Sequence, residues 1–374
     1  MHWIGTGMST GSGLALLCEG TSVVLWGRTV AKAEACLARL GLTGRAAAGA
    51  YTPGALAAEL APGDIVVSML PATEHPPLID LALAHRAHFA CSSYAGPAIE
   101  ARAGAARRRG SVLLTELGLD PGIDHLLAHE LVRKARQVTG ERPATAHFTS
   151  YCGSNPAVPN AFRYRFSWAP RGVLTALLTP ARLIEDGAER AVARPWEAVT
   201  TQVVGGETVE VYPNRDSVPF VLAYGFPATW HLGTFVRGTL RLAGWSEAWR
   251  PVLDELPGAT DARLTELADE LAARYPTTAA DHDRVVMSVK LRVHTGAGES
   301  WWGEYVLDMT GDARESATAR LVSTPLACGV LDIATGRTPP GPHRATDDPR
   351  TVARWLDFLR VQSITASYAE GAGT

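Results

Sequence analysis

The sequence predicts an α/β protein in which a doubly wound parallel sheet is followed by an inserted α+β domain with a mixed sheet. Three observations predict it. The 374 residues exceed what one core ordinarily serves, since hydrophobic cores stop growing beyond roughly 250–300 residues. Up to about residue 120, short apolar runs alternate with Ala/Leu-rich stretches, the pattern of βαβ units with helices on both faces of a parallel sheet. After Asp120-Pro121-Gly122 the texture changes to longer β-type runs rich in aromatic and charged residues, which suit an antiparallel or mixed sheet.

In the first part, strands are expected at residues 2–4, 22–26, 64–70, 88–91 and 111–115, with helices near 11–19, 31–40, 53–60, 77–85 and 97–109. Beyond it, strands are expected at 145–151, 163–168, 208–212, 285–294 and 301–308, and helices at 261–275 and 315–336. Thr338-Pro339-Pro340-Gly341-Pro342 then breaks the pattern before a last helix near 349–362. The tail from Ala369 to Thr374 is expected to fray. These elements suggest a doubly wound domain over 1–122, an α+β domain with a mixed sheet over 123–325, and C-terminal helices over 326–374 that return to the first domain.

Composition narrows the function classes. With 46% hydrophobic and 20% charged residues, a formal charge of −3 and a pI near 6.4, the chain has no basic footprint for nucleic acid or a membrane surface. The opening Met1-His2-Trp3-Ile4-Gly5 lacks a basic leader, and no stretch approaches about 18 uninterrupted apolar residues, so a cytoplasmic protein is expected. Cys18, Cys36, Cys91, Cys152 and Cys328 are odd in number and widely spaced, with no C-x-x-C pair; they read as reduced thiols, and no structural metal is expected.

Gly5-Thr6-Gly7-Met8-Ser9-Thr10-Gly11 stands between the first strand and first helix. Glycines there permit a tight turn and let a pyrophosphate approach amides at a helix N-terminus, as in a Rossmann-type fold. The spacing is G-x-G-x-x-x-G, one residue longer than the commonest fingerprint. Where an NAD-binding chain would place an acid for the ribose, this one reads Trp26-Gly27-Arg28-Thr29. A cation suits a 2′-phosphate, so NADP is the expected cofactor, the alternative for Arg28 being a solvated surface arginine. Leu70-Pro71 and Ser92-Ser93, at the ends of two further strands, fall where a doubly wound sheet meets its ligand.

Several longer motifs remain: Cys91-Ser92-Ser93-Tyr94, the run from Glu116-Leu117-Gly118-Leu119-Asp120 to Pro121-Gly122-Ile123-Asp124-His125, and Ser150-Tyr151-Cys152-Gly153. Then come Phe166-Ser167-Trp168-Ala169-Pro170-Arg171-Gly172, Tyr212-Pro213-Asn214-Arg215-Asp216-Ser217 and Arg237-Gly238-Thr239-Leu240-Arg241. In order and spacing they resemble the glutamate-forming saccharopine dehydrogenases, or saccharopine reductases, and the resemblance runs nearly end to end. It implies an NADP-dependent enzyme of lysine metabolism acting on the CH–NH bond of a small amino-acid substrate, saccharopine, which joins glutamate to an aminoadipate semialdehyde.

The resemblance also implies roles. Asp120, Tyr94 and Cys152 would manage protons, and Leu119, Pro121, Trp168 and Ala169 would join the glycine loop, Arg28, Thr29, Leu70, Pro71 and Ser92 around the cofactor. Ser93, Tyr94, Arg215, Thr239, Leu240 and Arg241 would meet the substrate, the arginines as planar clamps for carboxylates. Plainer readings stand beside these: Asp120 as N-cap of a helix starting at Pro121, Cys152 as a small buried hydrophobe, Tyr94 as a core aromatic, and the arginines as surface ion pairs. His125 reads as a packed helix histidine.

Two stretches differ from the family pattern: the helical insertion after Arg241 is reduced to about residues 245–280, and Cys152-Gly153 leads into Ser154-Asn155-Pro156. Reduction of another N-linked amino acid or carboxylated polyamine, or a silent NADP-binding scaffold, are the rival functions. A homodimer is left open as the assembly.

Overall fold

The computed structural model describes residues 1–140, 142–167, 169–278, 280–296, 298–345 and 348–372. The chain falls into two compact units, Met1–His125 with Arg314–Ile364, and Leu126–Ala313 with Thr365–Thr374.

The first unit is built on seven parallel strands in the order Gly341–His343, Val112–Leu114, His88–Cys91, Ile65–Ser68, His2–Ile4, Val24–Gly27, Ala47–Ala50. The central strands carry the largest apolar residues, with Trp3, Ile4, Val66, Val67 and Phe89 fully buried, as strands covered on both faces require. The order turns back at His2–Ile4, which leads to Val24–Gly27 on one side while the chain later returns to Ile65–Ser68 on the other. That is the switch point at which such sheets bind ligands, beyond the carboxyl ends of the strands. Side-chain caps fix the helices: Thr29 Oγ1 accepts the amide of Lys32 to start Val30–Arg39, and Thr52 Oγ1 accepts that of Ala55 to start Pro53–Glu59. Ala317–Ala334, the one helix among the described residues long and apolar enough to cross a membrane, is mostly buried and packs on Ser12–Gly20.

Two strands of this sheet were not expected. Ala47–Ala50 and Gly341–His343 are its outer members, four and three residues long, and built from Ala, Gly, Pro and His, which lack a β-type signal. The stretch expected as one helix at 97–109 is two, Pro97–Glu100 and Ala103–Arg109.

The second unit holds a mixed sheet in the order Thr200–Val204, Glu207–Pro213, Trp230–Leu242, Ala144–Pro156, Asp283–Thr295, Ser300–Thr310, Ala366–Ala372. A hairpin of Ala181–Glu185 and Ala188–Val192 is attached to Trp230–Leu242. Only the pairing of Trp230–Leu242 with Ala144–Pro156 is parallel among those described. A separate core gathers Pro170–Leu177, Trp245–Ala248, Arg250–Glu255 and Asp261–Arg274 around the buried Trp245 and Trp249.

Three expectations are corrected here. Residues 163–167 form no strand, and Trp168 lies outside the described residues. Phe162, Tyr164 and Phe166 do alternate inward, but onto aromatics at helix ends: Phe162 stacks on Trp249 at 4.6 Å and on Tyr275 at 4.2 Å. Ala369–Ala372 belong to the strand Ala366–Ala372, paired with Ser300–Thr310, with the Tyr368 and Tyr305 rings tilted against each other at 4.6 Å, while residues 373 and 374 lie outside the described residues. Asp120 does not cap a helix beginning at Pro121. The helix is Ile123–Thr139, and the amide of Gly122 is taken by Asp124 Oδ1 at 2.7 Å.

Candidate active site

In the first unit the glycine loop leaves His2–Ile4 with the Gly5 amide donating to the Trp26 carbonyl at 2.9 Å. Gly5 has φ +119°, and a Cβ there would lie 3.0 Å from Met69 Cβ, so neither its backbone nor its surroundings admit a side chain. Thr10 Oγ1 pins the turn by donating to the Gly5 carbonyl and accepting from Trp3 Nε1. At Gly7, in contrast, a Cβ would meet nothing within 4 Å. Gly7 and Met8 are exposed, with Thr6 and Ser9 half-buried. The loop is thus an open backbone cradle at the start of helix Ser12–Gly20, a shape that fits a dinucleotide pyrophosphate. Arg28 lies immediately beyond Val24–Gly27, exposed and, among the described residues, without an ion pair; Thr29 next to it caps the following helix.

Gly11 packs close at the end of this turn, where a Cβ would lie 3.0 Å from Ala319, and Gly13, which sequence reasoning missed, packs closer still. Its added Cβ would stand 1.9 Å from the Ser323 carbonyl oxygen, so helix Ser12–Gly20 approaches Ala317–Ala334 as closely as backbones allow. The x-G pair that follows the loop, Ser12-Gly13, was the available signal.

At the end of Ile65–Ser68, the Leu70 amide donates to Ser68 Oγ and the Leu70 carbonyl meets His75 Nε2 at 3.1 Å; Pro71 is exposed. Burial lowers the His75 pKa, so its ring is a neutral donor to that carbonyl near pH 7.

At the end of His88–Cys91, Ser92, Ser93 and Tyr94 are half-buried, and Tyr94 Oη donates to Asp120 Oδ1 at 2.7 Å. Two of the residues expected to handle protons are therefore brought together. The bend that carries Asp120 rests on Gly118, whose Cβ would lie 2.7 Å from Ser92 Cβ, and Leu119 and Pro121 on either side of Asp120 are buried. Behind them Glu116, Asp124 and His125 form a buried group, with His125 Nε2 3.5 Å from Glu116 Oε2 and His125 Nδ1 3.6 Å from Asp124 Oδ2. Glu116 was not singled out from sequence. Its signals were its place at the head of the motif Glu116–His125 and an acid within the apolar run Leu113-Leu114-Thr115-Glu116-Leu117.

In the second unit Cys152 is buried on Ala144–Pro156, in register with Thr239 on one neighbouring strand and Met287 on the other. Thr239 is half-buried. Leu240 packs its side chain among Val204, Val209, Val211 and Val286, which leaves only its backbone for a ligand. Ala169 is exposed, preceding Pro170 at a helix start. Arg215 is exposed on a turn at φ +57°, its carbonyl accepting the Arg182 amide.

Arg241 has a different setting. It is 7% exposed, with its guanidinium carbon 4.8 Å from the ring centre of Tyr164 and 5.7 Å from those of Tyr212 and Trp245. Its Nη1 donates to the Leu240 carbonyl, its Nε has no acceptor, and no carboxylate of the described residues pairs with it. Glu210, its partner across the strands, is committed elsewhere: its two oxygens accept the amides of Gly244 and Ser246 at 2.8 and 2.7 Å. A permanently charged group buried without a counter-ion is costly unless an anion joins it. Arg237, also missed from sequence, is buried with its guanidinium 4.1 Å from the Phe220 ring. None of the five cysteines forms a disulfide, and among the described residues no group of His, Cys, Asp and Glu is placed to hold a metal.

A doubly wound parallel sheet with an open glycine loop at its switch point, in a chain whose other unit is a mixed sheet holding a buried cation, defines the dinucleotide-binding class of α/β proteins. Comparison with known proteins takes this further. Residues 1–114 match the family described as saccharopine dehydrogenase NADP binding domain, and residues 118–364 the one described as saccharopine dehydrogenase C-terminal domain. The chain belongs to the saccharopine dehydrogenase family. It is 37% identical over 206 residues to the NADP+, L-glutamate-forming saccharopine dehydrogenase of Pyricularia oryzae, covering 54% of this chain and 44% of that protein. It is 35% identical over 200 residues to the mitochondrial alpha-aminoadipic semialdehyde synthase of Bos taurus, covering 52% of this chain and 21% of that one. The match thus spans less than half the length of these curated relatives. Among solved structures, apo saccharopine dehydrogenase (L-Glu forming) from Saccharomyces cerevisiae shares the fold with a TM-score of 0.82 at 23% identity, over 99% of both chains.

Proposed function

We propose that this protein is an NADP-dependent oxidoreductase acting on the CH–NH bond of saccharopine, on its glutamate-forming side. The observation that carries the reading is Arg241, a buried arginine framed by three aromatic rings and with no carboxylate partner among the described residues. A substrate bearing three carboxylates supplies what it lacks, in the planar geometry a guanidinium prefers. A polyamine tail would call for acids in that place.

NADP, when bound, would accept or supply the hydride. The amides around Gly7 and Met8 would hold its pyrophosphate and Arg28 its 2′-phosphate. Tyr94 and Asp120, already hydrogen-bonded, form a two-member relay able to take a proton from, or return it to, the secondary amine. Cys152 and Thr239 offer a thiol and a hydroxyl in register on adjacent strands. The relatives' names, saccharopine dehydrogenase and aminoadipic semialdehyde synthase, agree with this assignment. The test is the absorbance of NADPH at its reduced-nicotinamide band, with purified protein and saccharopine plus NADP in one direction, or glutamate plus the semialdehyde and NADPH in the other. Turnover in either supports the reading. Binding of NADPH without turnover in both would assign another substrate or a silent role.

A further inference from the structure

Tyr94 sits in a loop, where a phenol would ordinarily sample several rotamers, yet its hydroxyl meets Asp120 at 2.7 Å. What holds it there is another residue. The Glu116 amide donates to the Ser93 carbonyl at 3.0 Å, and the Ala95 amide donates to Glu116 Oε1 at 2.9 Å. One residue therefore grips the backbone on both sides of Tyr94, with its main chain before it and its side chain after it. The grip has a conformational cost, since Glu116 stands at φ +58°, in the left-handed region that side chains disfavour. Glu116 is also almost wholly buried, with His125 Nε2 3.5 Å from its carboxylate and the Arg344 guanidinium, a cation, at 3.8 Å.

The far end of the relay is tied to the same segment. Four residues after Glu116, Asp120 stands in a closed bend: the Gly118 amide donates to the Pro121 carbonyl at 2.8 Å and the Ile123 amide to the Gly118 carbonyl at 2.9 Å. Acid and phenol are thus located from one short stretch, 116–123, rather than from two independent loops.

We propose that Glu116 is a positioning residue that fixes the Tyr94 hydroxyl on Asp120 by clamping the backbone at Ser93 and Ala95. This rests on the reading of Tyr94 and Asp120 as the proton relay of the reaction proposed above. The side-chain half of the clamp needs an acceptor at glutamate length, not a charge. Glu116→Gln keeps both reach and acceptor; Glu116→Asp keeps the charge but falls one methylene short of the Ala95 amide; Glu116→Ala loses both.

The experiment pairs kinetics with a signal that needs no turnover. Tyrosine labelled with carbon-13 at the hydroxyl-bearing ring carbon reports each phenol's hydrogen bond, and Tyr94→Phe identifies the Tyr94 resonance among the nine tyrosines. In Glu116→Asp and Glu116→Ala the Tyr94 resonance should move toward its position in Asp120→Asn. kcat should fall roughly ten- to a hundredfold, the scale of a misplaced proton-transfer group, while both Michaelis constants stay within about threefold. Glu116→Gln should return the resonance and most of the rate. If Glu116→Ala does not fold, the Gln and Asp pair decides alone. An unmoved Tyr94 resonance in Glu116→Asp, or a loss in Glu116→Gln as large as in Glu116→Asp, overturns the clamp. A Tyr94 resonance that moves as expected in a protein that never turns over saccharopine keeps the clamp and removes the proposed substrate.

Discussion

Replacing Arg241 by methionine should separate stability from function in opposite directions. The methionine keeps an unbranched apolar stem against Tyr164, Tyr212 and Trp245 and removes the charge. Stability loses the cation–π contribution, about 0.5–2 kcal/mol for a guanidinium over aromatic faces. It regains the desolvation penalty of an ion buried without a carboxylate among the described residues, which is several kcal/mol. The net is a melting temperature equal to or above that of the wild type. Substrate binding should go the other way. Truncating one partner of a buried charge pair costs about 2–5 kcal/mol, or roughly thirtyfold to a few thousandfold in kcat/KM. NADPH affinity, measured by fluorescence quenching, should not change. Calorimetric melting and saccharopine kinetics on the same preparation test both halves. A lowered melting temperature with an unaltered saccharopine KM would make Arg241 a structural residue and refute the argument.

Three further outcomes are expected. Arg28→Asp should weaken NADPH by about 1.5–3 kcal/mol, ten- to a hundredfold, and shift preference toward NADH; equal NADPH dissociation constants would leave Arg28 a surface residue. Gly7→Ala, whose Cβ meets nothing within 4 Å, should melt like the wild type yet bind NADPH more weakly, whereas Gly13→Ala, with its Cβ 1.9 Å from the Ser323 carbonyl, should give little folded protein; equal melting temperatures for the two would contradict the packing. Burial pushes the Cys91 thiol from its ordinary value of 9.0 up to about 12, so the folded state keeps a proton that the unfolded chain releases, and its stability contribution is complete below pH 9 and lost as pH rises toward 12. Denaturant titrations across that range should show the decline, with a shallower slope in Cys91→Ala; an unchanged slope would rule Cys91 out as its source.

How much of this was legible beforehand follows from where each signal resides. The inner strands of the first sheet were readable because strands buried on both faces must be apolar runs, as Ile65–Ser68 and His88–Cys91 are. Its outer strands were not, since Ala47–Ala50 and Gly341–His343 gain their strand character from a neighbour's hydrogen bonds rather than from their side chains. Alternation misled at Phe162, Tyr164 and Phe166, where a period of two came from packing on Trp249 without any ladder. The tail misled for the reverse reason, since Ala366–Ala372 is held by a partner some sixty residues away. At the site, Tyr94 and Asp120 were named from motifs, but the contact between them and the Glu116 grip depend on two chain segments meeting, which spacing along one segment does not encode.

The motif Arg237-Gly238-Thr239-Leu240-Arg241 shows what a period can add once the strand is known. On Trp230–Leu242 successive side chains point to opposite faces. Leu240 faces the valine cluster, and Gly238 shares that face, where a Cβ would lie 2.9 Å from the Tyr151 ring and 2.5 Å from the Tyr212 carbonyl. Arg237, Thr239 and Arg241 therefore share the other face. Residues in register lie on the same side of a sheet, which adds Cys152 and Tyr212 beside Thr239, and Tyr212 is one of the rings over Arg241. The alternation thus sorts the motif: its odd-numbered members and Cys152 are the ones a ligand can use through side chains, and Leu240 serves the core. A one-residue insertion before Thr239 would exchange the two sets, placing a guanidinium in the valine cluster and a leucine in the aromatic frame, so the strand's register is as much a part of the proposed specificity as the arginine itself.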